Sequence, residues 1–149
     1  MRESSRLFLF PDVNVWVALT YERHIHYKTA RNWFEGLAPT ARVFFCRLTQ
    51  LGLLRLLTAP AVMGVDQAKS QRDVWKAYDR WLEDDRVEFL EEPGELDKQF
   101  RALTQSPQAS PKDWADSYLA AFAYASRLTV VTFDHAFQSK AKDLLLLGT

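Results

Sequence analysis

The sequence predicts an α/β protein built on a central parallel sheet of about five strands with helices on both faces. Short apolar segments alternate along the 149 residues with segments whose apolar residues recur at helical spacing, and this alternation is typical of a parallel sheet. Carboxylates follow two of the apolar segments directly, at the positions where open sheets of this class bind ligands. The length suits one domain, residues 1–149, with one core.

Five short apolar segments are the predicted strands. Each has the length expected for a buried strand. The first should stop at Pro11, because proline has no N–H to donate to the sheet. The predicted strands are Leu7–Phe10, Val43–Cys46, Val87–Leu90, Leu128–Thr132 and Leu144–Leu147.

Between the strands, apolar and aromatic residues recur at helical spacing, which predicts helices with a stripe that faces the core. We assign their aromatic residues to the core rather than to a ligand site. A further helix should begin with Ser110 as its N-cap and Pro111 as its first residue. The stripes are Ala30, Trp33, Phe34 and Leu37, then Trp75, Tyr78 and Leu82, then Leu96, Phe100 and Leu103.

Composition excludes several classes of protein. Lysine plus arginine (19) equals aspartate plus glutamate (19), so any contact with nucleic acid must be local. No apolar run reaches the ~18 residues of a membrane helix, and the first run is too short for a signal peptide. The single cysteine, Cys46, indicates neither a disulfide nor a zinc site and is assigned to the core. We therefore expect a cytoplasmic protein that does not contact a membrane.

Three aspartates are the candidate functional residues. Asp12 and Asp134 follow the first and fourth predicted strands, at the edge of the sheet where ligands bind. Asp116 lies on the apolar face of a predicted helix, where a carboxylate is costly unless it is paired or bound to a metal. If the three converge, they repel one another by about 3 kcal/mol per pair at ~5 Å and an effective dielectric near 20. The site then needs a lysine or arginine, or a hard divalent cation.

Other polar residues receive a structural interpretation. Asp113 lies one turn before Asp116, near the start of the helix, where a carboxylate complements the helix dipole. His24 and His26 precede a predicted helix, and His135 adjoins an acid without a histidine cluster around it. We assign none of these histidines to a metal.

Four segments of the chain resemble the PIN-domain ribonucleases, and most closely the VapC toxins of bacterial VapBC toxin–antitoxin modules. They are PDVNVWVAL, HIHYKTARNWFE, CRLTQLGLLRLLT, and the pair DWADSYLAAFA with LTVVTFDHAF. Each segment is weak evidence alone, but in this order and at this spacing they are specific. The resemblance spans nearly the whole chain.

This resemblance implies a PIN-like fold whose clustered acids hold Mg²⁺ or Mn²⁺ and cleave single-stranded regions of RNA, often tRNA or ribosomal RNA. It implies that Asp12, Asp116 and Asp134 bind the metal and are catalytic. It also implies a VapB-type antitoxin as partner and a homodimer. The supporting residues that it places around the acids are Asn14, Thr49, Gln50 and Thr132.

Gln50 is the departure from the family pattern. Similar members have glutamate in a T-E-x-x-x-x-R context, whereas TQLGLLR retains Thr49 and Arg55 around an amide. The site would then hold three formal negative charges instead of four. On this interpretation metal binding is weakened, and Gln50→Glu should tighten it.

Two other classes of function stay open. Gln50 favours a catalytically weak PIN-like module that binds RNA or a partner protein, and metal-dependent cleavage of unstructured RNA would distinguish the two. A phosphatase or receiver-type α/β domain also places an aspartate after its first strand. The phosphatase would need a second aspartate where Asn14 stands, and the receiver would need a lysine where TFD follows the last strands.

Overall fold

Five parallel strands form one sheet in the order β3-β2-β1-β4-β5, as seen in a computed structural model that describes residues 7–148. Every pair of neighbouring strands is parallel, which confirms the predicted class and strand number. The strands are β1 Phe8–Pro11, β2 Arg42–Phe45, β3 Val87–Phe89, β4 Thr129–Thr132 and β5 Leu144–Leu146.

Seven α-helices and one short 3₁₀ helix connect the strands within residues 7–148. None of the helices in this part of the chain is both long and apolar enough to cross a membrane. The helices are α1 Val13–Thr20, α2 Tyr27–Glu35, α3 Arg47–Leu57, α4 Pro60–Met63, α5 Gln71–Leu82, α6 Leu96–Leu103 and α7 Asp113–Ser126, and the 3₁₀ helix is His135–Ser139.

Two cores lie on opposite faces of the sheet, because successive side chains of a strand point to opposite faces. On one face, Trp16 of α1 is fully buried and stacks on Phe45 with the ring centroids 3.8 Å apart. On the other face, Phe10 stacks on Phe122 of α7 with the centroids 4.9 Å apart. The first core holds α1 to α5 and the second holds α6, α7 and the 3₁₀ helix, so helices cover both faces as predicted.

β1 extends one residue beyond its predicted end at Phe10. Pro11 is its last residue and pairs with Val131 of β4. The next backbone N–H, that of Asp12, donates to the carbonyl of Val131 at 3.0 Å. The strand tolerates proline here because Asp12, and not Pro11, makes this hydrogen bond to β4. As a result, the ladder extends to the first candidate acid.

The start of α7 also differs from the prediction. Ser110 does not cap the helix, because its backbone is left-handed, with φ of 44°. Its carbonyl instead accepts from the N–H of Asp113 at 3.0 Å, which closes a turn through Pro111 and Lys112. The helix then begins at Asp113, after Lys112 in the N-cap position.

Three members of the predicted core stripes are exposed. Trp75 is 46% exposed, although its ring packs edge-on against Tyr78, with the centroids 5.9 Å apart. Leu82 and Leu103 are the last residues of α5 and α6, and both are more than one-third exposed. For these three residues the assignment to the core is wrong.

α1 and α3 approach closely at Gly52. A Cβ atom at this position would lie only 2.6 Å and 2.9 Å from the two methyl carbons of Val13. Contacts below 3.0 Å force a shift of the neighbouring group. The crossing of the two helices therefore depends on the absence of a side chain at residue 52.

Gly52→Ala is expected to destabilise the protein by about 1 kcal/mol. Overpacking against Val13 costs about 1–3 kcal/mol, and the better helix propensity of alanine offsets about 1 kcal/mol of that cost. Urea denaturation measures the difference. Gly94→Ala is the control, because a Cβ there meets nothing within 4 Å. If Gly52→Ala were as stable as the control, the two helices would not be in close contact.

Candidate functional site

Asp12 stands at the carboxyl end of β1 and caps α1. Its Oδ1 accepts a hydrogen bond from the backbone N–H of Val15 at 3.1 Å. Its Oδ2 accepts a short hydrogen bond from the hydroxyl of Thr132 at the end of β4. The residue is only 7% exposed. Both oxygens of this buried carboxylate therefore have fixed positions.

Thr132 connects two of the candidate acids. Its Oγ1 donates to Asp12 and accepts from the backbone N–H of Asp134 at 2.9 Å. Asp134 in turn caps the 3₁₀ helix, because its Oδ1 accepts from the N–H of Ala136 at 2.9 Å. Asp134 is exposed, whereas Thr132 is fully buried. One hydroxyl thus orients a buried acid and an exposed acid at the same edge of the sheet.

Asp116 reaches the site from α7. It is half-buried and lines a cavity of about 300 Å³ together with Asp12 and Asn14 of β1–α1. The opposite wall of this cavity is formed by α3. The structure therefore brings Asp12, Asp116 and Asn14 to one cavity, and Thr132 links Asp134 to its edge.

Burial and mutual repulsion destabilise the charged carboxylates. Burial raises the pKa of Asp12 to about 6, and the charges of Asp116 and Asp134 add to the increase, although the hydrogen bonds from Thr132 and Val15 oppose it. The pKa of Asp116 is also raised, first by burial and then by the charge of Asp134. The three acids therefore interact electrostatically, as the sequence predicted.

Lys140 is the cation that could not be located from sequence. Its Nζ lies 3.4 Å from Oδ1 of Asp113, and its charge acts to lower the pKa of Asp116. It ends the 3₁₀ helix that Asp134 begins. Asp113 lies in the first turn of α7 as predicted, and its pairing with Lys140 had no signal in the local sequence. The opposing charge of Lys140 does not cancel the increase in the pKa of Asp116.

The donor chemistry of this site fits a hard divalent cation, because its acids offer oxygen ligands whose negative charges repel one another. Within residues 7–148, however, no three histidine, cysteine, aspartate or glutamate side chains form a ready-made metal cage. Magnesium usually keeps several waters and needs only one or two carboxylates. The site therefore suits a divalent cation by its negative charge and by its oxygen ligands.

Gln50, which the family motif associates with the acids, is not among the residues that line their cavity. Its Oε1 accepts a short hydrogen bond from Nη1 of Arg47, and its side chain also lies near Tyr78 of α5. At about 100° per residue, position 50 is on the opposite side of α3 from Leu48 and Gly52, which line the cavity. Gln50 therefore contributes to the packing of α3 against α5.

Thr49 also has a structural position. Its hydroxyl accepts from the backbone N–H of Cys46 at 3.0 Å and donates to the carbonyl of the same residue at 3.2 Å. This pairing caps the start of α3. Cys46 is fully buried, which confirms its assignment to the core.

Sequence reasoning gave no role in the cavity to the face of α3 that lines it. This face carries Gly52 and Arg55, and Arg55 had been noted only as part of the family pattern. A signal was present in CRLTQLGLLRLLT, because four residues of this segment, beginning with Leu48, follow the i, i+3, i+4, i+7 spacing of one helical face. The residues of this face in the cavity wall are Leu48, Leu51, Gly52 and Arg55.

None of the three histidines is among the residues that line this cavity. Nδ1 of His24 accepts from the N–H of His26 at 3.0 Å, and the ring of His26 stacks on Phe133 with the centroids 4.3 Å apart. His135 is exposed at the start of the 3₁₀ helix.

Comparison with known proteins gives a consistent result. Residues 9–143 match the family model of the PIN domain. The chain is 39% identical over 132 residues to Ribonuclease VapC41 of Mycobacterium tuberculosis, and the match covers 87% of this chain and 90% of that protein. It is 31% identical over 129 residues to Ribonuclease VapC38 of the same species, with 83% and 82% covered.

Solved structures show the same fold at low sequence identity. VapBC2 from Rickettsia felis, bound to a DNA fragment from their promoter, matches with a TM-score of 0.67 at 16% identity and covers 93% of this chain and 98% of its own. VapC20 of M. tuberculosis, a sarcin–ricin loop cleaving toxin, matches with a TM-score of 0.64 at 16% identity, with 88% and 93% covered. FitAcB from Neisseria gonorrhoeae matches with a TM-score of 0.56 at 20% identity, and the match covers 93% of this chain and 96% of that chain.

Together, the family match and the similarity to two curated ribonucleases agree with the observed fold. The chain belongs to the PIN-domain family and, within it, to the VapC ribonucleases.

Proposed function

We propose that this protein is the toxin of a type II toxin–antitoxin system and cleaves RNA with a Mg²⁺ or Mn²⁺ ion held by Asp12, Asp116 and Asp134. The observation that carries the proposal is the electrostatic coupling of the three acids at one edge of the sheet, with the pKa of Asp12 raised to about 6 by burial and by the charges of the other two acids. A divalent cation would relieve this repulsion and bind to oxygen ligands.

The chemistry that such an ion supplies when bound is a lowered pKa for a coordinated water and stabilisation of charge on the phosphate oxygens. The residues of this chain orient the acids. Thr132 and the N–H of Val15 hold the two oxygens of Asp12, and the N–H of Ala136 holds Oδ1 of Asp134. Without a cation, the raised pKa lets Asp12 retain a proton at mildly acidic pH, and cation binding would displace that proton.

The relatives support the assignment of substrate and partner. VapC41 and VapC38 are ribonucleases by name, and VapC20 is described as cleaving the sarcin–ricin loop. VapBC2 is a complex bound to its promoter DNA. We infer that this chain acts on single-stranded regions of tRNA or ribosomal RNA, pairs with a VapB-type antitoxin, and forms a homodimer.

One observation favours the alternative of a catalytically weak module that binds RNA or a partner. The wall of the cavity formed by α3 carries no carboxylate among the described residues, since its members are Leu48, Leu51, Gly52, Arg55 and Leu56. A site with three acids binds a cation less tightly than a site with four. Metal-dependent cleavage of an unstructured RNA distinguishes the two functions.

Replacing Asp12, Asp116 or Asp134 with asparagine is expected to reduce RNA cleavage on the order of 100-fold or more, because the amide lacks the charge that binds the cation. Asparagine also caps helices well, so Asp12→Asn should remain folded. Cleavage of a single-stranded RNA is measured with Mg²⁺ and with excess chelator. The control is Asp113→Asn, whose carboxylate faces Lys140 and which should keep most of the activity. Full activity in chelator, with enzyme freed of contaminating nuclease, would contradict the metal mechanism.

Asp12 is expected to make the metal-free protein less stable as pH rises. Its folded pKa of about 6 exceeds the ordinary value of 3.8, so the folded state binds the proton more tightly than the unfolded state. The stabilising contribution is complete below pH 3.8 and is lost as pH rises through about 6. The full difference is about 3 kcal/mol.

Asp12→Asn should therefore unfold at a higher urea concentration than the native protein at pH 7.5 in chelator, and this advantage should shrink towards pH 4. The control is Asp66→Asn, at an exposed residue outside the site, which should follow the native protein at both pH values. If Asp12→Asn were less stable than the native protein at pH 7.5, the carboxylate would not be a source of electrostatic strain.

Gln50→Glu is expected to leave Mg²⁺ affinity unchanged within about twofold, because the new carboxylate would pair with Arg47 on the far side of α3. This reverses the expectation from sequence. Calorimetric titration measures the affinity, and Gln71→Glu, at an exposed residue of α5, adds the same charge elsewhere as a control. Tighter binding by Gln50→Glu alone would show that residue 50 reaches the metal.

A further inference from the structure

Arg55 contributes a positive charge to the lining of the cavity. Its side chain lines the cavity that Asp12 and Asp116 also line, and the residue is exposed. Among residues 7–148, Arg55 forms no ion pair with an acid. Its guanidinium group is therefore available for a ligand.

Arg55 does not neutralise the aspartates. The charges that act on Asp12 are those of Asp116 and Asp134, and the cation that acts on Asp116 is Lys140. The acids and Arg55 thus line one cavity of about 300 Å³ without an ion pair between them. A ligand that contacts both has one group for a cation held by the acids and a second, anionic group for Arg55.

The packing of α3 holds Arg55 in this position. Gly52 contacts Val13 where a Cβ atom would clash, and this close crossing sets α3 beside the start of α1. Position 55 is one turn beyond Gly52 on the same face. Asp12, Val13, Gly52 and Arg55 line the same cavity. An extended ligand in this cavity can therefore contact the start of α1 and Arg55 together.

We propose that Arg55 binds the RNA phosphate next to the one that is cleaved. A phosphodiester chain carries a negative charge at each nucleotide, and the planar guanidinium group forms two parallel hydrogen bonds to phosphate oxygens. Asn14 lines the same cavity and is exposed, so its amide lies along the same path. The inference rests on the proposed ribonuclease function and adds a substrate-binding residue to it.

The first test measures RNA binding to the inactive Asp116→Asn protein, with and without Arg55→Ala. Loss of Arg55 should weaken binding of a short single-stranded RNA about tenfold. It should also reduce the slope of log affinity against log salt concentration by about 0.7, the value for one phosphate contact on a single strand. Arg72→Ala, at an exposed arginine of α5 away from the cavity, is the control and should change neither quantity.

The second test measures cleavage by Arg55→Ala and Arg55→Lys with the native acids in place. Arg55→Ala should raise KM and leave kcat nearly unchanged, because the contact is made in the ground state and the transition state alike. Arg55→Lys should keep the salt dependence and recover only part of the affinity, because lysine keeps the charge but lacks the paired hydrogen bonds. If Arg55 had a purely structural role, Arg55→Lys would not keep the salt dependence of binding while recovering only part of the affinity.

Two results would overturn the inference while the proposed function stands. In the first, the native protein cleaves RNA in a metal-dependent way, but Arg55→Ala has the same KM as Arg72→Ala and the same slope of log affinity against log salt concentration. The other is weaker binding of an acidic antitoxin peptide by Arg55→Ala with RNA binding unchanged, which would assign the arginine to the partner protein. Failure of the native protein to bind or cleave RNA would overturn the proposed function as well.

Discussion

The site depends on one buried hydroxyl. Thr132 Oγ1 donates to Asp12 and accepts from the N–H of Asp134, so the relative positions of two acids on different elements are fixed by a single group. The parallel pairing of Pro11 with Val131 places β1 and β4 in the register that this contact needs. Valine has nearly the same shape as threonine but would leave an acceptor and a donor unpaired at this edge of the sheet, which is costly for buried groups.

This arrangement concentrates negative charge at one edge of the sheet, although Asp12 and Asp134 also cap the helices that follow them. A buried carboxylate beside two others lowers stability at neutral pH unless a cation is present, and proteins commonly tolerate such local costs at functional sites. The remainder of the molecule is packed in the ordinary way, with two aromatic-rich cores on either side of the sheet. The stability that these cores provide allows the acids to remain close together.

Sequence reasoning located the fold and the acids because both follow from local patterns. Apolar runs predicted the five strands, and the position of Asp12 and Asp134 directly after strand ends predicted their place on the sheet. The motif alone associated Gln50 with the acids, and a match to a family motif says nothing about which side of a helix a residue occupies. Lys140 was missed because it meets Asp113 only after α7 and the 3₁₀ helix have packed together, and such a long-range contact has no spacing signature.

The contact between Gly52 and Val13 restricts how this site could change during evolution. A glutamate on the cavity-facing side of α3 would restore a fourth acid, but at position 52 its Cβ would lie 2.6 Å from a methyl carbon of Val13. Residue 13 would have to become smaller first, and that intermediate would leave a void between two helices and lose stability. The order of substitutions is therefore constrained, and a single change at position 52 cannot supply the missing charge without disturbing α1, the helix that Asp12 caps.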